Sequence, residues 1–465
     1  MPKTASFVPS FGLYHHEGET IAAIATPAGE GGVAIVRMSG KRALLVAERI
    51  FSKPIASLAS HTLTYGKILD EHRRVIDTVL LAVMRAPRSF TGEDTVEIQC
   101  HGGSLITKKV LQAVLHAGAR AALPGEFSFK AFKNKKIDLA QAEAIQALIG
   151  AKNERALSAA KEQLEGSLSL KISSFQKGLI DAGAFLEAWV DFPEEGLEEP
   201  ETEKLKSALS HLLNEMERLH ESFSHGKLLH TGVTLCLTGA PNVGKSSLMN
   251  ALLCKERAIV TEIPGTTRDL LEEEMRLEEL HFRLIDTAGI RFSSETIEKE
   301  GIRRSLLAME RADLILFVLD ASRLPTSEER ALLQETPKEK SLLIWNKIDL
   351  PHPSPLPALR EESLSLSAKT EEGLTALKSA IVAKVLKKGL ASKEEVVLSN
   401  LRHQTALSHA IDGVNALICG LNEQLSPEFL ASDLRFALTS LGSIIGIDIG
   451  EELLTAVFSK FCIGK

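Results

Sequence analysis

The sequence predicts a multidomain α/β protein with an N-terminal α+β domain, a helical domain in two pieces, and a P-loop nucleotide domain inserted between the pieces. Three observations predict it. Short β-rich runs broken by Gly/Pro turns fill residues 19–135. Helical apolar spacing begins near Ile137 and returns over residues 398–460. Between the two lies Gly239-Ala240-Pro241-Asn242-Val243-Gly244-Lys245-Ser246, which fits the phosphate-loop pattern G-x-x-x-x-G-K-[ST].

In the first domain, Thr20 to Ala25 and Val33 to Arg37 read as strands around a loop carrying Pro27, Gly29, Gly31 and Gly32. Val75 to Val83 and Thr95 to Gln99 read as further strands, and Val110 to His116 as a helix. Residues 1–18 lack the apolar stretch of a signal peptide and read as a loosely tethered extension. In the helical part, Leu157, Leu164, Leu168, Ile172, Phe175 and Leu179 are expected on one stripe. Phe192-Pro193 is expected to end that run, with Glu194, Glu195, Glu198, Glu199, Glu201 and Glu203 as a solvated acidic loop. A second helix carries Leu205, Leu209, Leu212, Met216, Leu219 and Phe223. After the nucleotide domain come Leu407, Ile411, Val414 and Leu417, then Leu434, Leu438 and Leu441, and last Leu453, Leu454, Val457 and Phe458. The expected divisions are 1–18, 19–135, 136–225, 226–389 and 390–465. Such an insertion costs little when the ends of the inserted domain lie close together.

Composition limits the partners. At 44% hydrophobic and 25% charged residues, the 465-residue chain can bury large cores. Only 5% is aromatic, so extensive base-stacking surfaces are not expected. The net charge of −7 means that any nucleic acid is held by a local basic patch or a basic partner. Cys100, Cys236, Cys254, Cys419 and Cys462 are scattered, which argues against a disulfide framework or structural zinc and fits a cytoplasmic location. No stretch is long and apolar enough for a membrane span.

The phosphate loop sits between an apolar strand run, Val233 to Leu237, and a helix beginning at Ser247. Its glycines let backbone N–H groups converge on phosphates, Lys245 reaches the outer phosphates, and Ser246 offers a hydroxyl to Mg²⁺. Leu284-Ile285-Asp286-Thr287-Ala288-Gly289 is a strand ending in Asp-x-x-Gly. Its Asp acts through a Mg²⁺-bound water, and its glycine N–H senses the γ-phosphate. Asn346-Lys347-Ile348-Asp349 follows another strand run. A carboxylate there accepts from the N1–H and 2-amino group of guanine, donors that adenine lacks. Ser367-Ala368-Lys369 fits the loop behind the base. Together these make a Ras-like P-loop GTPase domain. Ile290 stands where Ras-like enzymes carry a water-orienting Gln, so another group is needed; Glu295, Glu298 and Glu300 are the nearby candidates.

Beyond these motifs the chain carries Ala25-Thr26-Pro27 through Gly31-Gly32-Val33, Phe90-Thr91-Gly92-Glu93-Asp94, Pro124-Gly125-Glu126-Phe127, and Asp138-Leu139-Ala140-Gln141-Ala142-Glu143-Ala144. It also carries Pro264-Gly265-Thr266-Thr267-Arg268-Asp269 and Phe461-Cys462-Ile463-Gly464-Lys465. In these stretches, and from Glu19 to Lys465, it resembles the MnmE (TrmE) family of bacterial and organellar tRNA modification GTPases. The resemblance implies an N-terminal folate-binding, dimerising domain and a homodimer that forms a heterotetramer with a FAD-containing partner, MnmG (GidA). The implied chemistry adds an aminomethyl or carboxymethylaminomethyl group at C5 of the wobble uridine, position 34, of certain tRNAs. The one-carbon unit comes from 5-formyl- or methylene-tetrahydrofolate.

Residue roles carried over by the resemblance are these. Asn242, backbone oxygens of Thr261 and Ile263, and Thr266 match the family's K⁺ ligands. Ser246 and Thr267 match its Mg²⁺ ligands. Val243, Gly244, Lys245, Ser247, Glu262, Pro264, Gly265, Asp286, Thr287, Ala288, Gly289, Asn346, Lys347, Asp349, Ser367, Ala368 and Lys369 complete the GTP/GDP site. Glu298 matches the water-orienting acid, which decides among the three candidates. Arg37, Glu97, Lys136 and Lys465 match the folate contacts; a carboxylate suits the pterin donor edge, and cations suit the glutamate tail. Cys462 matches the cysteine needed for tRNA modification; its rivals are a buried small hydrophobe and a prenylation signal, against which the neighbouring Gly464 and Lys465 argue. Hydrolysis is then expected to need K⁺ and face-to-face pairing of two GTPase domains. A ribosome-assembly or regulatory GTPase without chemistry of its own is the alternative function, and folate binding separates the two.

Overall fold

The computed structural model describes residues 18–191, 199–223, 226, 232–253, 272–277, 280–286, 309–310, 312–351, 353, 356–360, 362–386 and 396–464. The chain divides into two compact units, one made of segments within 1–149, 161–213 and 406–465, the other of segments within 150–160 and 214–405.

The first unit begins with a six-stranded sheet of β1 (Ile21–Ile24), β2 (Val33–Ser39), β3 (Leu63–Leu69), β4 (Val75–Met84), β5 (Thr95–His101) and β6 (Arg120–Ala121), in the order β3-β4-β5-β2-β1-β6. All neighbours are antiparallel except β1 and β6. Alternation sets its faces. Val36, Met38, Val96 and Ile98 point into a core with Val46, Ala47 and Ile50 of α1 (Ala43–Ile50) and Val110 and Val114 of α2 (Ser104–His116). Arg37 and Glu97, a registered pair, face the other side. There, Ile21 and Ala23 pack on Phe127 of α3 (Glu126–Lys133). The Pro-Gly-Glu-Phe turn before α3 has a physical reason. Gly125 is left-handed at φ 68°, and buried Glu126 accepts from Arg120 and from the Leu123 amide.

The helical part of this unit holds α4 (Leu139–Gly150), the end of α5 (Glu154–Leu164), α6 (Ser167–Asp191), most of α7 (Glu199–Glu221) and a C-terminal group described below. Asp138 and Gln141 exchange side-chain-to-backbone bonds of 2.8 and 3.0 Å, which caps α4. The expected single stripe is divided among helices. Leu168, Ile172, Phe175 and Leu179 are buried along α6, but Leu157 lies on α5 and is exposed. Gly166, left-handed at φ 96°, separates the two helices. The acidic segment is also corrected, because Glu199, Glu201 and Glu203 are helical residues of α7. Acids there suit the positive end of the helix dipole. Phe192, Pro193, Glu194, Glu195 and Glu198 lie outside the described residues.

The second unit carries the other sheet: β7 (Val233–Thr238), β8 (Glu272–Leu277), β9 (Leu280–Asp286), β10 (Leu314–Asp320), β11 (Ser341–Asn346) and β12 (Ser363–Ser365). Its order is β12-β11-β10-β7-β9-β8, parallel throughout except for β8 against β9. Apolar runs on β7, β10 and β11 are buried on both faces, as a covered parallel sheet requires. α8 (Lys245–Leu253) and α10 (Leu374–Leu386) supply Leu248, Leu252, Leu377 and Ile381 to its main core. α9 (Ser327–Glu335) begins with a capping box of Thr326 and Glu329.

The C-terminal helices are α11 (Leu401–Asn422), α12 (Pro427–Ile445) and α13 (Glu451–Phe458). α12 packs along α6 in the first unit, where Gly183 leaves room for the Leu434 side chain. This is the helical domain interrupted by the nucleotide domain. The chain then turns back on α3: Phe458 meets Phe129 at 5.5 Å and Phe132 at 6.1 Å between ring centroids.

Candidate functional site

The nucleotide site lies at the carboxyl ends of β7, β10 and β11, where strand order reverses around β7 and parallel sheets bind ligands. Gly239 (φ 144°) passes so close to the Val318 carbonyl that a Cβ would collide with it. A Cβ on Gly244 (φ 96°) would collide with the Asn346 amide. Asn242 is left-handed at φ 63°, a conformation asparagine tolerates better than most residues. Lys245 is buried and folds its ammonium onto the Gly239 and Ala240 carbonyls at 2.9 and 2.8 Å. Ser246, Ser247 and Asn242 are exposed at the mouth of the loop, while Val243 is core. The loop has the shape of an anion cradle, with the Ser246 hydroxyl and the Asn242 amide exposed at its mouth.

Asn346 ties the cradle to the base site. It is buried, its Nδ2 donates to the Val243 carbonyl at 2.9 Å, and its Oδ1 accepts from the Ala368 amide at 2.9 Å. Asp349, which is exposed, accepts from the Ser367 hydroxyl at 2.6 Å through one oxygen. Its second oxygen has no protein partner among the described residues and can read guanine. Lys347, at φ 70°, reaches Asp320 at 2.6 Å. Burial pushes the Asp320 carboxyl up, but hydrogen bonds from Lys347 and Ser322 outweigh it and hold the group below its ordinary value. Sequence reading missed Asp320. The signal was present: Leu314 to Leu319 is an unbroken apolar run ending in an acid. Lys369 lies in the turn beyond Ala368.

Asp286 ends β9, beside Leu237 of β7. Thr261, Glu262, Ile263, Pro264, Gly265, Thr266, Thr267, Thr287, Ala288, Gly289, Glu298 and Lys465 lie outside the described residues.

A second group of residues gathers around Arg37. Its Nε donates to Glu97 at 2.7 Å, its Nη1 to the Gly464 carbonyl at 3.1 Å, and its guanidinium lies 5.9 Å from the Phe127 ring centroid. Glu97 keeps one carboxylate oxygen without a protein partner among the described residues. Arg37 and Glu97 are each about one-fifth exposed, so the pair stays reachable by solute. Gly464, at φ 93°, lies against Ile24 and Ala25, and this brings the residue before Lys465 to Arg37. Cys462 is exposed, which removes the buried-thiol reading, and its carbonyl accepts from the Gly125 amide at 3.4 Å. Lys136 is exposed and its one described bond is to the Pro87 carbonyl, so the structure does not bring it into contact with Arg37 or Glu97. A half-buried carboxylate beside a guanidinium suits a pterin with an acidic tail.

Among the described residues, Cys100, Cys236, Cys419 and Cys462 form no disulfide. Among the described residues no acidic, His or Cys cluster could hold a metal, and no helix is long and apolar enough to cross a membrane.

Comparisons with known proteins find relatives along nearly the whole chain. Residues 20–136 match the family model of the GTP-binding protein TrmE N-terminus, and residues 139–462 match that of the MnmE helical domain. A Protochlamydia amoebophila (strain UWE25) protein named tRNA modification GTPase MnmE is 56% identical over 452 residues, 97% of this chain and 98% of its own length. A Chlamydia pneumoniae protein of the same name is 48% identical over 447 residues, 96% of this chain and 99% of its own length. Among solved structures, the G domain of the T. maritima FeoB iron transporter is 29% identical, covering 33% of this chain and 98% of its own, with a TM-score of 0.24.

Proposed function

The chain belongs to the MnmE family of tRNA modification GTPases, and on that premise we propose that its GTP hydrolysis is K⁺-dependent and coupled to tRNA chemistry. The chain is a GTP hydrolase that binds GTP and GDP with Mg²⁺. With a FAD-containing partner, MnmG (GidA), it forms the 5-carboxymethylaminomethyl or aminomethyl group on uridine 34 of tRNA. A tetrahydrofolate supplies the one-carbon unit. The working divisions are the extension 1–18, the folate domain 19–135, the helical pieces 136–225 and 390–465, and the GTPase domain 226–389.

The observation that carries the folate reading is the Arg37 cluster. Residues far apart in sequence converge on one half-buried guanidinium, with an exposed thiol two residues from the anchored carbonyl. Arg37 and Glu97 would orient the folate, with Lys136 and Lys465 toward its acidic tail. The bound folate supplies a one-carbon unit at the formal level of formaldehyde or formate. Cys462 stands at the edge of that site and is available to the transfer chemistry.

In the nucleotide site, the guanine is read by the carboxylate of Asp349, held in place by Ser367. Lys245 and the loop amides hold the phosphates. Ser246 and Thr267 would hold Mg²⁺, and Asn242, Thr261, Ile263 and Thr266 would hold K⁺. A monovalent cation there offsets charge between the phosphates, the work an arginine finger does elsewhere. Glu298 orients the attacking water.

Homodimerisation through the first domain is supported by its open sheet face. Tyr65, Leu80, Gln99 and Ile35 form one cross-strand row, with Leu63 and Val33 beside it, and Tyr65, Leu80, Leu63 and Val33 are exposed large apolar side chains. Such a face is a partner surface.

The test is the GTP hydrolysis rate in K⁺ against Na⁺ at equal ionic strength. Strong stimulation by K⁺ that disappears in Asn242→Ala is expected. Equal rates in the two cations would remove the proposed mechanism while leaving the GTPase fold intact.

A further inference from the structure

We propose that a basic rim beside the Arg37 cluster, formed by Arg88, Lys133 and Lys135 with Phe90, is the surface that holds the phosphates of the tRNA anticodon loop. The inference rests on the tRNA reading above and gives it a location.

Two segments make the rim: the loop from Arg85 to Asp94, and the end of α3 with the loop after it, from Lys130 to Asp138. Three contacts join them: Asn134 donates to the Thr91 carbonyl at 2.7 Å, Lys136 to the Pro87 carbonyl at 3.3 Å, and Lys130 to Glu93 at 2.7 Å. A Cβ on Gly92 would lie 3.3 Å from that of Asn134, so the loops touch through glycine. The joined loops adjoin the Arg37 face. Thr91 bonds Ser39 at 2.7 Å, and Ser39 lies two residues along β2 from Arg37. α3 also seats the C-terminal turn through Phe129, Phe132 and Phe458.

The charges on this rim are lopsided. Arg88, Lys133, Lys135 and Lys136 are exposed. Of the acids in these segments, Glu93 is paired with Lys130, while Asp94 accepts from the Ala86 amide at 2.9 Å and Asp138 from the Gln141 amide at 2.8 Å, so the cations outnumber the acids. Arg88 and Lys135 have no carboxylate partner among the described residues. The ordinary explanation for lysines at 133 and 135 is the negative end of the α3 dipole. It does not account for Arg88, which belongs to the other loop, nor for an exposed phenylalanine, Phe90, in the same loop. Cations spaced along two segments with one exposed ring suit a single-stranded backbone and one unstacked base. The chain carries a net charge of −7, so direct RNA binding by this chain needs such a local excess rather than bulk attraction.

The test uses the full chain and a short RNA hairpin bearing a tRNA anticodon loop, with binding followed by fluorescence anisotropy across a salt series. In the triple variant Arg88→Gln/Lys133→Gln/Lys135→Gln, the slope of log affinity against log salt should fall by about 2, at ~0.7 per lost phosphate contact. The corresponding affinity loss is about 100-fold near 0.1 M salt. The circular dichroism spectrum and urea unfolding midpoint of the triple variant should match the wild type, which reports intact folding. Phe90→Ala should weaken binding with the slope unchanged. Equal affinity and slope in the triple variant would overturn the inference and leave the tRNA reading standing. Failure of the wild-type chain to bind the hairpin would overturn both. Retained RNA binding with loss of polyglutamyl 5-formyltetrahydrofolate would also overturn the inference, assigning the rim to a folate tail.

Discussion

Replacing Asn346 with alanine removes one side chain and two bonds at once. One bond holds the phosphate loop through Val243 and the other holds the base loop through Ala368, both at 2.9 Å and at a buried site. A net hydrogen bond contributes about 1 kcal/mol, and a buried partner left unsatisfied costs about 1–3 kcal/mol. The Val243 carbonyl is left buried and unsatisfied, while the half-buried Ala368 amide loses one net bond of about 1 kcal/mol, so the expected cost is about 2–4 kcal/mol. Bound GDP needs both loops in place, so this cost should appear as a loss of affinity of about 30- to 900-fold. Two measurements on the full chain check it: GDP affinity by calorimetry, and urea unfolding followed through Trp345. Trp345 is buried immediately before Asn346, and a Trp189→Phe background isolates its fluorescence. An earlier Trp345 transition with GDP affinity within about threefold of wild type would refute the reasoning, because the bridge would then support folding without organising the site.

The Asp320–Lys347 pair should make the nucleotide domain acid-sensitive. Its carboxyl titrates below the ordinary value, so the stabilisation is complete above about pH 4 and is lost as pH falls through the lower folded value. Urea midpoints measured down that range should drop for the wild type and change less for Asp320→Asn. Gly125→Ala should strain a left-handed residue by about 1–2 kcal/mol and push the Phe458 carbonyl away. Faster Cys462 labelling by a thiol reagent, with unchanged GTP hydrolysis, is the expected result. Glu298→Ala should slow hydrolysis while leaving GTP affinity near wild type; equal loss of both would remove its assigned role.

What could be read from the sequence was chemistry carried by particular side-chain types. The phosphate loop, Asn346-Lys347-Ile348-Asp349 and Ser367-Ala368-Lys369 each need fixed residues at fixed spacing, and the described ones meet at one end of one sheet. Packing was harder to read. α3 is spelled Glu-Phe-Ser-Phe-Lys-Ala-Phe-Lys, an alternation that resembles a strand. It is a helix because both its sides are covered: Phe127 packs on Ile21 and Ala23, while Phe129 and Phe132 pack on Phe458. No local window contains Phe458. Leu157 was misplaced for a related reason, since apolar spacing carried through Gly166 ignores the change of axis made there. The bond from Arg37 to the Gly464 carbonyl could not be read from spacing at all.

That last bond has a consequence for the order in which the protein is made. Its two ends are 427 residues apart. At a synthesis rate of about 5–20 residues per second, Arg37 waits roughly 20–85 s for its carbonyl partner to be polymerised. The first domain can build its sheet and bury α1 and α2 in that interval, and the nucleotide domain emerges before the tail does. The Arg37 cluster is therefore finished late, by a segment that must find a surface already folded. Slowing translation inside the nucleotide domain lengthens that wait, and a ribosome stalled there holds a first domain whose Arg37 and Glu97 have met while the Gly464 carbonyl does not yet exist.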